Sequence, residues 1–397
     1  MEEQGQYNIL NLKEKSNTLY FVGIILLSIK TWLFITKIIE VPNYVHYGLA
    51  LIIALTFVVK IASTKYTIKE YVGISIISVI LIYTFYKTKD TDLILTFLPI
   101  VASKGMDINK ILKILFKVNL FIFIIHILYH IFCVIFWPNN VMYVIVDNVK
   151  RVSFFMRHPN YAGAVTFWLA AIYIFLNYEK KLINNVVLLI ICAAIMYCFT
   201  VSRTTLIAFF TLILLLILVK KINIKKILYH FTRIIFIFLA IISIFFSMNY
   251  FKLGFSENEL VNKIDTYLSG RIKLSGYGYY ANGSTIFGKE FVFQGGIQTD
   301  KFYIDTLVID SFYVSCLIYY GVVYLVIIAY FVFVTAEKCT QKDLIFLIVF
   351  SIIAFSERYI IYVTIAFPLL LIGNRYLNRN KELDSGNFKL NKEENIC

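Results

Sequence analysis

The feature that most constrains this chain is a succession of apolar runs divided by short charged clusters. A bilayer's hydrocarbon core is about 30 Å thick and takes roughly 20 apolar residues of helix to cross. Runs near that length lie at residues 18–39, 43–62, 70–86, 91–103, 114–137, 160–178, 184–200, 204–219, 229–248, 310–334, 343–357 and 359–374. The pattern predicts an all-α polytopic membrane protein, with residues 1–397 forming one integral membrane domain of about twelve transmembrane helices. The fourth run, which carries Pro99, is the weakest of them. A chain of 397 residues that is 60% hydrophobic and 16% charged has more apolar surface than a water-soluble core can hide. The first seventeen residues are polar and no small-residue cleavage site follows the first run, which points to an uncleaved first helix.

Charge sets the expected orientation. A net charge of +14 would suit a nucleic-acid partner, but most lysines cluster in short loops between the runs, as they do in cytoplasmic loops of membrane proteins. The implied partner is the lipid bilayer, not nucleic acid. With the N-terminus inside, Lys60, Lys65 and Lys69 face the cytoplasm, as do Lys104, Lys110 and Lys113, then Lys180 and Lys181, and then Lys220, Lys221, Lys225 and Lys226. Lys338, Lys342 and a cytoplasmic tail at 375–397 with Arg375, Arg379 and Lys381 obey the same rule. Cys133, Cys192, Cys198 and Cys316 lie within apolar runs, while Cys339 and Cys397 fall on the cytoplasmic side, so no disulfide framework is expected.

What remains outside is concentrated in one long extracytoplasmic loop, 249–309, with eight of the seventeen glycines. Ser256-Glu257-Asn258-Glu259 reads as a capping box, Leu260, Val261, Ile264 and Leu268 follow at roughly helical spacing, and Gly270 stops the helix. A short amphipathic helix at the membrane surface is therefore expected, with Arg271 just past its end. Beyond it, Gly276-Tyr277-Gly278-Tyr279-Tyr280 reads as flexible backbone with the aromatic faces of Tyr277, Tyr279 and Tyr280, residues that also suit a membrane interface.

Three arginines fall on that outer side. Arg157-His158-Pro159-Asn160 precedes the sixth run and Ser202-Arg203-Thr204-Thr205 opens the eighth. A cation at a helix N-terminus meets a like partial charge, which is unfavourable unless an anion binds there. An interfacial, snorkelling arginine is the alternative. Asp310, before Tyr313, opens the tenth run, and Glu357-Arg358 fills the turn between the last two. Asp310 suits an N-cap and Glu357 with Arg358 a local ion pair, and both share a side with the arginines. Asp90-Thr91-Asp92 reads as a cap for the fourth helix in preference to a metal motif. His126, His130 and Cys133 have metal-like spacing but no fourth ligand nearby. No metal or cofactor is expected.

These motifs, in this order, resemble the bacterial Wzy-type polysaccharide polymerases of the O-antigen ligase superfamily. The resemblance rests on the Arg-His-Pro-Asn turn, the Ser-Arg-Thr helix start, Ser269-Gly270-Arg271, Phe287-Gly288, Asp310 with Tyr313 and Gly321, and Phe355-Ser356-Glu357. It covers residues 150–360 as ordered motifs and the whole chain as hydropathy. It implies a metal-independent glycosyltransferase in the cytoplasmic membrane of a bacterium, its active site facing outward, joining undecaprenyl-pyrophosphate-linked oligosaccharides into a surface polysaccharide. A flippase and a chain-length regulator of the same pathway are the implied protein partners. Arg157 and Arg203 would then recognise pyrophosphate, Arg271 would close over the same group from a mobile loop, and His158, Asp310 and Glu357 would activate the acceptor or orient the arginines. Asn160, Thr204, Tyr277, Tyr279, Tyr280, Tyr313 and Arg358 would contact substrate. Two departures stand out: the family's tryptophan and regular second helix after the loop arginine are replaced by the tyrosine-glycine run, and the loop lacks the histidine of the ligase branch. The rival readings are a lipid-linked oligosaccharide flippase or other transporter, a ligase-type transferase and a membrane acyltransferase. The first would carry two matching halves with short loops.

Overall fold

A computed structural model describes residues 2–146, 149–222, 224–290, 294–298, 303–306 and 308–378. Arg379, Lys381, Cys397 and the rest of the expected tail beyond Asn378 lie outside the described residues. In chain order the helices are α1 (Glu2–Ile35), α2 (Asn43–Ala62), α3 (Ile68–Thr88), α4 (Asp92–Ala102), α5 (Ile108–Phe136), α6 (Pro159–Leu176), α7 (Leu182–Thr200), α8 (Arg203–Lys221) and α9 (Lys225–Asn249). After them come α10 (Glu259–Tyr267), α11 (Arg271–Asn282), α12 (Phe312–Ser315), α13 (Val322–Thr335), α14 (Gln341–Ala354) and α15 (Pro368–Leu377). Two antiparallel hairpins interrupt them, β1 (Tyr143–Val146) with β2 (Val149–Val152) and β3 (Gln294–Gln298) with β4 (Tyr303–Thr306).

Among the described residues eight helices are long and apolar enough to cross a bilayer: α1 from Glu14 onward, α2, α3 and α5 to α9. Their outward faces carry exposed Leu51, Ile76, Phe121, Ile190, Phe210 and Ile241. Such rows suit a lipid surround and would be patches of aggregation in water.

The other four expected spans take a different form. α4 has 11 residues, about 17 Å of helix and well short of the hydrocarbon thickness. The run at 310–334 is broken: α12 passes into a π turn at Cys316–Tyr320, and Gly321, at φ 89°, redirects the chain into α13. A Cβ on Gly321 would sit 2.3 Å from the Ile286 carbonyl oxygen and 2.5 Å from the Gly288 nitrogen, so the two motif glycines, Gly288 and Gly321, meet where the loop presses on the break. The groups freed there are used: Val322 N–H donates to the Thr285 carbonyl at 2.9 Å and Lys289 N–H to the Tyr319 carbonyl at 3.1 Å. The last run splits into a 3₁₀ turn at Arg358–Ile361, irregular backbone and α15. There Thr96 Oγ1 donates to the Ile361 carbonyl at 2.9 Å and Asn119 Nδ2 to the Thr364 carbonyl at 2.6 Å. Broken backbone at membrane depth needs such protein partners. α14 and α15 are accordingly buried almost throughout, beside α6, at the centre of the bundle.

The expected surface helix is α10, but its cap is Asn258, whose side chain accepts from Val261 N–H at 3.0 Å, not the expected Ser256 box. Val261 is buried while Leu260, Ile264 and Tyr267 stay exposed. The larger correction is the tyrosine-glycine run, which is helix and not flexible chain. Gly276 and Gly278 lie in α11 because only a missing side chain lets it dock. A Cβ on Gly276 would fall 2.5 Å from the Tyr250 ring, and one on Gly278 would fall 2.3 Å from Ile309.

Candidate functional site

The site begins with how Arg271 is held. Gly270, in the left-handed region at φ 78°, turns the chain from α10 into α11. The buried Asp265 carboxylate then accepts from the first N–H groups of α11, Ile272 at 2.7 Å and Lys273 at 3.3 Å. This fixes Arg271 in the opening position of the helix. Its guanidinium is buried between two carboxylates, with Nη1 2.5 Å from Asp310 Oδ2 and Nη2 3.2 Å from Glu357 Oε1, while Nε donates to the Ser356 carbonyl at 3.0 Å. Burial opposes its charge, and Glu357 and Asp310 more than offset that, raising its pKa. Of the five N–H donors of a guanidinium, three are used in these contacts and two are left.

Glu357 is the junction of this cluster. Its Oε1 also accepts from Thr204 Oγ1 at 2.7 Å and faces Asn160 Nδ2 at 3.5 Å, so α6, α8, α11 and the end of α14 converge on one carboxylate. Arg358, its neighbour in sequence, turns the other way. It approaches Asp90 Oδ2 at 3.9 Å, meets the Tyr320 hydroxyl at 3.5 Å and lies over the Tyr319 ring at 4.6 Å. The expected Glu357–Arg358 ion pair is therefore replaced by two separate partnerships across the fold. Asp310 is not the expected cap either, since Ser311 occupies the cap position of α12 and Asp310 pairs with Arg271.

Both clusters line one cavity of about 1180 Å³, walled by the α3–α4 turn, the start of α6, α11, the start of the 310–334 run and the 357–362 turn. Its basic side chains are Lys30, Lys89, Arg157, Arg271, Lys289 and Arg358, and its acidic ones Asp90, Asp92, Asp310 and Glu357. Cations therefore outnumber carboxylates by two. Arg157, Lys89 and Lys289 have no carboxylate partner among the described residues. Arg157 lies over the Phe34 ring at 4.5 Å, Lys89 over Tyr86 at 4.5 Å, and Lys289 donates to the Asn282 carbonyl at 2.6 Å. His158 caps α6, its Nδ1 accepting from Asn160 N–H at 3.2 Å. Burial holds the imidazole below its ordinary pKa; Asp310 pulls the other way, while Arg271, Arg151 and Lys37 reinforce the drop. Pro159 follows as the first residue of the helix, where its missing N–H costs nothing.

The fold brings Arg157, His158, Asn160, Arg271, Asp310, Glu357 and Arg358 to this cavity, with Thr204 one bond behind Glu357. It does not bring the rest. Arg203 is exposed and donates to the Thr266 carbonyl at 3.0 Å, fastening α8 to the end of α10. Tyr277 stacks on Phe251, with centroids 5.6 Å apart and planes within 7°, and Tyr280 meets the same ring edge-on at 4.8 Å. Tyr279 packs against the core, and Tyr313 is fully buried with its hydroxyl on the Ser351 carbonyl at 2.7 Å. None of the five lines the cavity. Thr91 holds the cap position of α4, while Asp90, just before it, accepts from Asp92 N–H through Oδ1 at 2.8 Å and from the Tyr320 hydroxyl through Oδ2 at 2.9 Å inside the cavity wall. Lys30 and six tyrosines line the cavity without a signal in the linear pattern, and Asp90 and Asp92, read there only as a cap, line it too.

Comparison with protein-family models, with curated proteins and with solved structures finds no match. The site therefore stands on its own geometry.

Proposed function

We propose that this chain is a metal-independent glycosyltransferase that polymerises undecaprenyl-pyrophosphate-linked oligosaccharide repeat units at the outer face of a bacterial cytoplasmic membrane. The observation that carries the reading is Arg271, buried and aimed by two carboxylates into a net-positive cavity that also receives the start of α6 and Arg157. In such a transfer a sugar hydroxyl oxygen bonds to the anomeric carbon of the donor. The carbon–oxygen bond to pyrophosphate breaks, the leaving group takes the electron pair, and the hydroxyl proton passes to a base. Charge grows on the pyrophosphate as that bond opens, and fixed donors aimed at it in a site screened from water lower the barrier. Arg271 offers two further N–H groups for this, and Arg157, Lys89 and Lys289 supply the excess positive charge. His158 caps α6 through Nδ1 and Glu357 and Asp310 hold Arg271, while Asp310, bound to Arg271 through Oδ2 alone and 27% exposed at the cavity wall, is the carboxylate that takes the hydroxyl proton. The expected twelve crossings fit this reading if α4 and the broken segments from α12 to α15 span the bilayer centre as a protein-enclosed core. An outward orientation follows from the lysine clusters.

The test is reconstitution. Purified protein in liposomes, given lipid-pyrophosphate-linked repeat units, should yield a ladder of longer glycans in the presence of a chelator. A lipid-linked oligosaccharide flippase is the rival reading, favoured by the helix break at Gly321 beside a polar cavity. Movement of the substrate across the liposome membrane without any lengthening would establish the rival and remove the polymerase.

A further inference from the structure

The cavity has a second pole that the chemistry at Arg271 leaves unused. Lys30, from the interior of α1, reaches Asp92 at 3.5 Å, and Arg358 and the Tyr320 hydroxyl converge on Asp90. The two poles are separate by construction, because Glu357 and Arg358 are adjacent in the chain and point to different partners. We propose that this pole is a saccharide subsite of the same cavity, holding the hydroxyl groups of the acceptor glycan. The inference deepens the polymerase reading and rests on it for the identity of the ligand.

Three features argue for sugar over phosphate. First, Lys30 faces Asp92 and Arg358 faces Asp90, so the pole presents paired donors and acceptors. A neutral ligand rich in hydroxyls matches that; a phosphate would oppose two carboxylates. Second, the carboxylates keep acceptor capacity. A carboxylate has about four lone-pair sites, and Asp90 uses one oxygen for Asp92 N–H and the other for Tyr320. Its side chain is 27% exposed and that of Asp92 16%, both into the cavity. Third, Tyr319, Tyr320 and Tyr362 stand at this pole, beside Arg358, Asp90 and Asp92 respectively. Aromatic bodies with polar tips are suited to the C–H faces and hydroxyl edges of sugar rings. The wall belongs to the buried core, with Tyr320 in the π turn and Arg358 in the 3₁₀ turn.

The experiment uses the full chain in nanodiscs and two probes: the free oligosaccharide repeat unit released from the source cell's own surface polysaccharide, and inorganic pyrophosphate. Calorimetric titration of wild type, Asp90→Asn, Asp92→Asn and Arg271→Lys separates the poles. The inference expects each Asp→Asn change to weaken oligosaccharide binding about tenfold, the loss of one charge-assisted hydrogen bond, with pyrophosphate binding within twofold of wild type. Arg271→Lys should do the reverse. Asp90→Glu should recover part of the loss, and Lys30→Gln, which leaves the turn intact, covers the case in which Asp90→Asn does not fold. Oligosaccharide binding that is absent in wild type, or equal in wild type and both Asp→Asn variants, overturns the subsite while leaving the pyrophosphate site standing. Loss of pyrophosphate binding in wild type, with oligosaccharide binding still dependent on Asp90, leaves the subsite standing and removes the polymerase reading.

Discussion

Glu357→Ala tests whether the convergence of four helices on one carboxylate is what holds the site. Glu357 Oε1 receives Arg271 Nη2 at 3.2 Å, Thr204 Oγ1 at 2.7 Å and Asn160 Nδ2 at 3.5 Å. Arg271 and Glu357 have side-chain exposures of 8% and 5%, so solvent screening removes little of the interaction. Breaking a buried pair by deleting one partner costs roughly 3–5 kcal/mol. Here Arg271 keeps Asp310 and the Ser356 carbonyl, Thr204 keeps Ser202 Oγ at 3.3 Å, and Asn160, half-buried at the cavity wall, gives up only a 3.5 Å contact. The lower end, about 3 kcal/mol, is therefore expected for Ala. Gln preserves an acceptor for Thr204 and loses only the charge, so about 1–2 kcal/mol is expected. Unfolding in mixed micelles titrated with SDS, read through the buried Trp32 and Trp168, gives the two differences. Ala and Gln variants both within about 0.5 kcal/mol of wild type, the range of an unremarkable surface change, would refute the argument.

The two arginines expected to act alike should separate. Arg271→Lys, which gives up a fork bridging two carboxylates, should cut polymer formation at least about 100-fold. Arg203→Lys, whose contact is one exposed carbonyl, should stay within about threefold; equal losses would return Arg203 to the chemistry. His158 should make stability fall in acid. Its pKa in the fold lies below the ordinary 6.5, so the unfolded chain binds the proton first. The contribution is complete above about pH 6.5 and is lost as pH drops through the folded value. Protonation also removes the Nδ1 acceptor that caps α6. His158→Asn, a cap that does not titrate, should flatten that slope in thermal unfolding measured from pH 7.5 to 5; an unchanged slope rejects it. For orientation, cysteines at the exposed positions 157, 203 and 258 should react with an impermeant reagent in intact cells, and those at 105, 180 and 226 should not. The opposite pattern would invert the topology.

The eight long helices were legible because each carries nearly a full bilayer's length of apolar residues, and the arginines and acids of the site because charge in so apolar a chain is conspicuous. Where the reading from sequence departs from the structure, the cause is tertiary. The runs at 343–357 and 359–374 look like spans by composition, but the second is broken, and buried Thr96 and Asn119 take up the Ile361 and Thr364 carbonyls of the break. Gly276 and Gly278 suggest flexibility, whereas their function is close approach to Tyr250 and Ile309, residues remote from them in sequence or beyond the hairpin. Arg203 shares its helix-start pattern with Arg157. A pattern of residue types does not say which way a long side chain swings, and the nearby end of α10 takes this one. Lys30 was hidden inside an apolar run, and its partner Asp92 in what read as a simple cap. Only the fold juxtaposes them.

The central claim is that this chain consumes lipid carriers bearing single repeat units. The most direct measurement is mass spectrometry of undecaprenyl-pyrophosphate lipids from cells in which the chain is deleted, combined with enzymatic access to their sugars from the outer leaflet. Carriers with one repeat unit should accumulate on the outer leaflet, and the wild-type chain, but not Arg271→Lys, should reverse this. Carriers held on the inner leaflet, or normal long polymer in the deletion, would contradict it.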